Sequence, residues 1–320
     1  MGEPTVPRGG FFFVVNAGSG RQAAQQAQAV IREILEPAGH RCQFLEAADG
    51  AQLPNLAREA LRLAQQHDGV IAAAGGDGTL NAVVQVALGG GRPFALVPLG
   101  TFNYFARTHG IPQDVYAAAE SLRDARIARV QVGLVNDRVF LVNASIGLYP
   151  QLLEEREMYK RRFGRRRSVA FGAAVASLWR RARMMPIDVE IEGERRTLNT
   201  QSLFVGNNAL QLEQVGIPEA GAIGQELAVL MLRPVSRVDL FGLLVRSALS
   251  QLGNADCLIN FAARELTVHP LAGGRGNRFK LALDGEITYE SAPLVFRAAP
   301  HALALLVPRQ APLPADGTCA

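Results

Sequence analysis

Cysteine is scarce. Cys42, Cys257 and Cys319 are the three in 320 residues, and no two of them stand at Cys-x-x-Cys spacing. An odd number without ligand spacing argues against a disulfide scaffold and a structural zinc site, and fits a reducing compartment. The histidines His40, His67, His109, His269 and His301 are scattered, with no metal-ligand spacing. Long hydrophobic runs are lacking too. None approaches the roughly 20 apolar residues of a membrane span, so any membrane role is expected to be peripheral. Residues 1–10 lack the basic stretch and apolar core of a signal peptide. No large excess of one charge exists: the net charge is +4, so the distribution of charge says more than its sum. What the chain does have is ordinary globular composition, 48% hydrophobic and 19% charged, which argues against disorder. Its length exceeds what one core usually needs, so two domains are expected.

Glycine punctuates the first half. Residues 11–15, Phe-Phe-Phe-Val-Val, form a continuous apolar run of the kind covered on both faces of a sheet. The run ends in Asn16, Ala17, Gly18, Ser19 and Gly20, ahead of a helix expected over 21–35 and stopped by Pro37 and Gly39. A strand at 41–45 and a helix at 53–66 follow. The next strand begins at Val70 and breaks into Gly75, Gly76, Asp77, Gly78 and Thr79 before a helix expected over 80–88. A strand at 93–98 then ends in Leu99, Gly100 and Thr101, before a helical piece at 102–107. Alternating strands and helices imply a mostly parallel sheet with covering helices, in which ligands collect at the carboxyl ends of the strands. Three strand ends carry glycine turns, which makes a nucleotide site the leading expectation. Backbone N–H groups and a helix start attract an anion. Asp77 conflicts with a bare phosphate cup. Either it meets a metal or a hydroxyl proton, or backbone N–H groups tie it into the protein.

Beyond a helix expected at 113–126 the rhythm changes. A hairpin is expected at 127–146 with its turn at Asn136 and Asp137. Strands are then expected at 187–192, 196–205, 226–232, 257–261, 265–269, 279–283, 294–298 and 302–307. A helix at 236–252 interrupts them, either core or the wall of an apolar pocket. This is the pattern of a second, β-rich domain. The expected division is 1–130 and 131–292, with a final strand at about 293–308 that returns to the first domain or stays in the second, and a flexible tail at 309–320. Ten basic side chains between Arg156 and Arg183 flank an apolar stretch containing Trp179. That segment suits an anionic membrane surface or a solvated basic face packed on its own domain. No nucleic-acid binding module accompanies the charge, so nucleic acid is not an expected partner.

Four blocks together resemble the diacylglycerol kinase catalytic-domain superfamily, which includes bacterial lipid kinases and sphingosine kinases. Residues 16–20 are similar to its Asn-Pro-x-Ser-Gly turn, with Ala17 in place of proline. Residues 75–81, Gly-Gly-Asp-Gly-Thr-Leu-Asn, match its central motif. Residues 98–107 resemble Pro-x-Gly-Thr-x-Asn-Asp-Phe-Ala-Arg, and residues 283–286, Leu-Asp-Gly-Glu, match its late acidic motif. The resemblance implies an α/β N-terminal nucleotide-binding domain and a β-rich, sandwich-like C-terminal domain, with the active site in the cleft between them. It also implies transfer of the ATP γ-phosphoryl group to a lipid hydroxyl with Mg2+, in the cytoplasm or at the inner membrane face. Asn16, Ala17, Gly18, Ser19, Gly20, Gly75, Gly76, Asp77, Gly78, Thr79, Leu80, Asn81, Gly100, Thr101 and Asn103 are the implied nucleotide contacts. Asp284 and Glu286 are implied at the catalytic centre, one of them taking the hydroxyl proton, with Asp77 as a third catalytic acid able to meet Mg-ATP. Alone, Asp284 and Glu286 would read as a surface turn. The sequence departs from the family pattern at Tyr104 and Gln131, where the pattern has acids. It departs again at residues 223–227, Ile-Gly-Gln-Glu-Leu, where Asp-Gly-x-Leu is expected, and near Glu46 and Ala47, where a threonine is expected. Two alternatives follow: a nucleotide- or lipid-binding protein without catalysis, and an NAD kinase, disfavoured because the chain has no Asn-Glu dipeptide.

Overall fold

The computed structural model describes residues 6–151, 153, 184–207, 225–232, 258–270 and 278–311. The basic 156–183 segment, the helix expected at 236–252, Cys257, Cys319 and the tail beyond 311 lie outside the described residues. The chain divides into two compact units, Met1–Val132 with Ala299–Ala320, and Gly133–Ala298.

The first unit is a parallel sheet with helices. Strands β1 (Phe11–Asn16), β2 (Cys42–Ala47), β3 (Val70–Gly75) and β4 (Phe94–Pro98) alternate with α1 (Arg21–Leu35), α2 (Leu53–Gln66), α3 (Asp77–Ala87), α4 (Tyr104–Thr108) and α5 (Val115–Arg123). The order across the sheet is β2-β1-β3-β4, continued by β16 (Leu294–Pro308), whose Leu305 pairs with Phe94 in β4. β1 and β3 are buried along nearly their whole length because helices cover both faces. Phe11, Phe12 and Phe13 are all essentially inaccessible. Each would cost about 3–5 kcal/mol on truncation to alanine. Chain order reverses between β1 and β3, and such a switch point opens a crevice at the carboxyl ends of the strands.

The second unit is antiparallel. A six-stranded sheet runs β12 (Leu258–Ala263), β11 (Leu227–Leu232), β10 (Ser202–Gly206), β7 (Asn143–Gly147), β14 (Arg278–Leu283), β15 (Glu286–Ser291). A second layer pairs the first residues of β16 with β13 (Glu265–Pro270), then β8 (Met185–Ile191) and β9 (Glu194–Thr200). One buried cluster joins Ile146, Val205, Val229 and Leu281 of the first layer to Val189, Val268 and Phe296 of the second. That is sandwich packing.

Several element boundaries depart from the sequence reading. The strand expected at 196–205 is two strands in different layers, broken at Gln201, with the Thr200 hydroxyl donating to Leu232 O at 2.8 Å. The second arm of the hairpin expected at 127–146 is likewise broken. β6 (Arg138–Phe140) pairs with β5 (Ala125–Val135), and β7 belongs to the other sheet. The strands expected at 294–298 and 302–307 are one, β16, with His301 at φ 56 inside it. That local irregularity hides its continuity from periodicity. The helix expected at 113–126 ends at Arg123, because residues from Ala125 onward enter β5. The helix expected to start at residue 80 starts at Asp77 instead.

Candidate functional site

The register of the parallel sheet sets the three glycine turns side by side. Val15 of β1 lies opposite Ala74 of β3, and Gly75 of β3 lies opposite Pro98 of β4. The three strands therefore finish level, and the turns at 16–20, 75–79 and 99–101 leave the same edge at one strand spacing, about 5 Å. The first turn is a single 3-10 turn, Ala17–Ser19, started by the Asn16 side chain accepting from Gly18 N at 3.0 Å. The second is the first turn of α3 itself. Gly76 is its N-cap and makes no side-chain cap bond, and Leu80 N–H reaches Gly76 O at 3.0 Å. First-turn N–H groups have no acceptor within their own helix, so this end carries the positive pole.

The third turn is locked onto the second. Leu99 N–H donates to Gly75 O at 2.9 Å, and Asn103 N–H donates to Asp77 Oδ2 at 3.1 Å. The Asn103 side chain closes the loop: its Oδ1 accepts from Gly100 N at 3.1 Å, and its Nδ2 donates to Gly100 O at 2.9 Å and Gln113 Oε1 at 3.0 Å. Asn103 is buried and sits at φ 46, a left-handed conformation asparagine tolerates better than most residues. Glycine is needed at 100 for space. A Cβ there would stand 2.6 Å from Asn103 Oδ1 and 2.8 Å from Gly76 Cα. Thr79 and Leu80 are buried, with the Thr79 side chain packed over Gly75, whereas Gly18, Gly20, Gly100 and Thr101 are exposed. Just beyond, His109 packs edge-on against Phe105 at 4.6 Å, and burial lowers its pKa to about 4.

In the second unit, Asp284 has a different neighbourhood from Glu286. The Asp284 carboxylate accepts from three successive backbone N–H groups, Leu141 at 2.8 Å, Val142 at 2.8 Å and Asn143 at 3.0 Å. Its own N–H donates to Asn143 O at 2.9 Å, and its φ is 48. Three donors on one carboxylate stabilise the ionised form. They also account for the break between β6 and β7, since residues 141 and 142 give their N–H groups to Asp284 instead of to a strand. Glu286 opens β15 opposite Leu283 and is exposed, with no side-chain hydrogen bond among the described residues. Periodicity had no signal for β15, for the 141–143 backbone or for Gln113, because each acts through a partner distant in sequence.

Residues 10–135 match the model of the diacylglycerol kinase catalytic domain. That match covers less than half of the chain. A diacylglycerol kinase from Staphylococcus saprophyticus is 31% identical over 144 residues, covering 44% of this chain and 46% of that protein. A diacylglycerol kinase from Staphylococcus aureus strain JH9 is 32% identical over 146 residues, covering 44% and 45%. The matched stretch thus spans less than half the length of these curated relatives. The whole fold finds a likeness in a solved structure from Bacillus anthracis strain Sterne, with TM-score 0.74, 18% identity, and coverage of 97% of this chain and 98% of that one. A diacylglycerol kinase structure from the same organism gives TM-score 0.67 at 16% identity, covering 95% and 98%. At these identities the likeness speaks for the fold. The domain that carries the family match holds all three glycine turns, while Asp284 and Glu286 lie beyond the matched residues.

Proposed function

We propose that the protein is an ATP-dependent lipid kinase that transfers the γ-phosphoryl group to the hydroxyl of a diacylglycerol-like lipid. The observation carrying this reading is the level register of β1, β3 and β4, which gathers three glycine turns at one sheet edge beside the start of α3. Phosphoryl transfer needs positioning and charge neutralisation more than covalent help from the protein. Backbone N–H groups of the 75–79 turn would hold phosphate oxygens, with the 16–20 turn beside them. The lipid oxygen attacks the γ-phosphorus, the bond from that phosphorus to the bridging oxygen breaks, ADP leaves, and the hydroxyl proton passes to a carboxylate.

Glu286 is the better proton acceptor of the late motif, because the Asp284 oxygens are already engaged by three N–H groups. Asp284 then acts by fixing the 141–143 backbone beside it. Among the described residues no cluster of three or more His, Cys, Asp or Glu side chains could hold a metal ion. Magnesium arriving with nucleotide phosphates needs only one or two carboxylates. The half-buried Asp77, fixed by Asn103 N–H, fits that part. When bound, magnesium would neutralise the charge that develops on the phosphate oxygens.

The test is incubation of the purified chain with γ-labelled ATP, Mg2+ and a panel of diacyl, monoacyl and sphingoid lipids. A labelled phospholipid is expected, and its absence from every lipid would sink the reading. A second reading, nucleotide binding without turnover, is favoured by Tyr104, whose ring stacks on Phe102 where the family pattern has an acid. ATP-analogue binding with no product from any lipid would select it. Formation of NADP from NAD and ATP would select an NAD kinase instead.

A further inference from the structure

Phe102 is at odds with the buried phenylalanines of the first unit. Phe11, Phe12, Phe13, Phe94 and Phe105 are buried to within 1% of complete, whereas Phe102 is 56% exposed. Its ring lies parallel to that of Tyr104, with an interplanar angle of 1° and centroids 5.8 Å apart. The pair offers a flat aromatic face on the loop that carries Gly100. Collapse of that face into the core is prevented by the loop's own bonds. Asn103, between the two rings in sequence, is 2% exposed, held at φ 46, and bonded to Gly100, Gln113 and Asp77. The backbone is thus fixed on the 75–79 turn at residues on either side of Phe102, at Leu99 and Asn103. Phe102 stands two positions from Gly100, at most about 7 Å of chain, which is within the reach of a nucleoside from its phosphate to its base.

We propose that Phe102 and Tyr104 form the stacking face for the purine base of the nucleotide, so that this loop supplies the base subsite as well as backbone to the phosphate turn. The proposal rests on the nucleotide reading above. Every base has a π face, so stacking adds affinity with little discrimination between adenine and guanine. Purines, with the larger ring system, should bind more tightly than pyrimidines. Tyr104 lies parallel to Phe102 and holds its ring orientation, and a phenyl ring there would serve as well. A small side chain would let the Phe102 ring turn away.

The experiment is calorimetric titration of the full chain, wild type and variants, with Mg-ATP and separately with inorganic tripolyphosphate. Circular dichroism melting would accompany it to verify folding. Phe102→Ala should weaken ATP binding about 5- to 100-fold, the range expected for loss of one stacked base, and leave tripolyphosphate binding within twofold. Tyr104→Phe should retain ATP affinity and Tyr104→Ala should reduce it. Equal loss for both ligands, or no loss for either, would overturn the proposal while leaving nucleotide binding intact. Loss confined to binding of phosphatidylglycerol vesicles would overturn it in favour of a membrane wedge. A wild-type chain that binds neither ligand would overturn it together with the nucleotide reading.

Discussion

Asp284 and Glu286 stand two residues apart and face different physical demands. Replacing Asp284 with asparagine exchanges one acceptor oxygen for an NH2 group, which cannot satisfy the N–H of Leu141, Val142 and Asn143 as the carboxylate does. Asp284→Asn is expected to speed amide hydrogen exchange at 141–143 and to lower turnover more than tenfold. Glu286→Gln is expected to abolish turnover with those amides still protected. Exchange mass spectrometry beside the kinase assay separates the two, and unchanged protection in Asp284→Asn would refute the anchoring role. His109 gives a pH prediction for the first unit. Burial lowers its pKa from 6.5 to about 4, so the folded chain keeps it neutral where the unfolded chain would protonate it. Its contribution is complete above pH 6.5 and is lost as pH falls towards 4. The denaturation midpoint of the first unit should fall across that window, and His109→Gln should flatten the fall. Cys42 is held as a thiol, its pKa pushed up to about 12 by burial first and by Glu36 second.

At the scale of elements, the junction of α3 with the 99–103 loop is the most sensitive. Gly76 and Gly100 pass so closely that a methyl group on Gly100 would overlap both Gly76 Cα and Asn103 Oδ1. Gly100→Ala must open that junction and release Asn103 from Asp77. The expected result is at least tenfold weaker ATP binding with a stability loss of about 1–3 kcal/mol, the usual range for overpacking. Calorimetry and urea denaturation measure the two effects. Unchanged ATP affinity would mean that the 99–103 loop does not depend on this close approach. The sequence located both glycines correctly as turn residues. It had no means of stating that they touch.

For the whole molecule, the discontinuity of the first unit is the governing fact. Residues 299–308 of β16 complete its sheet next to β4, burying Leu303, Leu305, Leu306 and Val307. Arg309 pairs with Asp124 at 3.0 Å, and Arg126 Nη2 donates to Ala311 O at 3.0 Å, so the chain remains attached past the strand. A chain ending at residue 298 would leave the β4 edge unpaired and its apolar neighbours uncovered. Such a truncation is expected to abolish cooperative unfolding of the first unit, as followed by circular dichroism and limited proteolysis. A 1–298 chain that melts cooperatively would contradict this.

The sequence by itself determined the alternation of elements, the three glycine turns and the acidic motif, because buried parallel strands and helix starts leave local signatures in apolar runs and glycine. It placed α1 and α2 at Arg21–Leu35 and Leu53–Gln66, where the structure has them. Only the tertiary structure decided the breaks at Gln201 and at residues 141–142, since both come from hydrogen bonds to partners far along the chain, Leu232 and Asp284. The same holds for the level register of the turns and for the lock between Asn103 and Asp77. Sequence periodicity reports which face of an element is apolar. Which backbone groups meet across the sheet edge depends on strand register and packing, and these are properties of the folded chain.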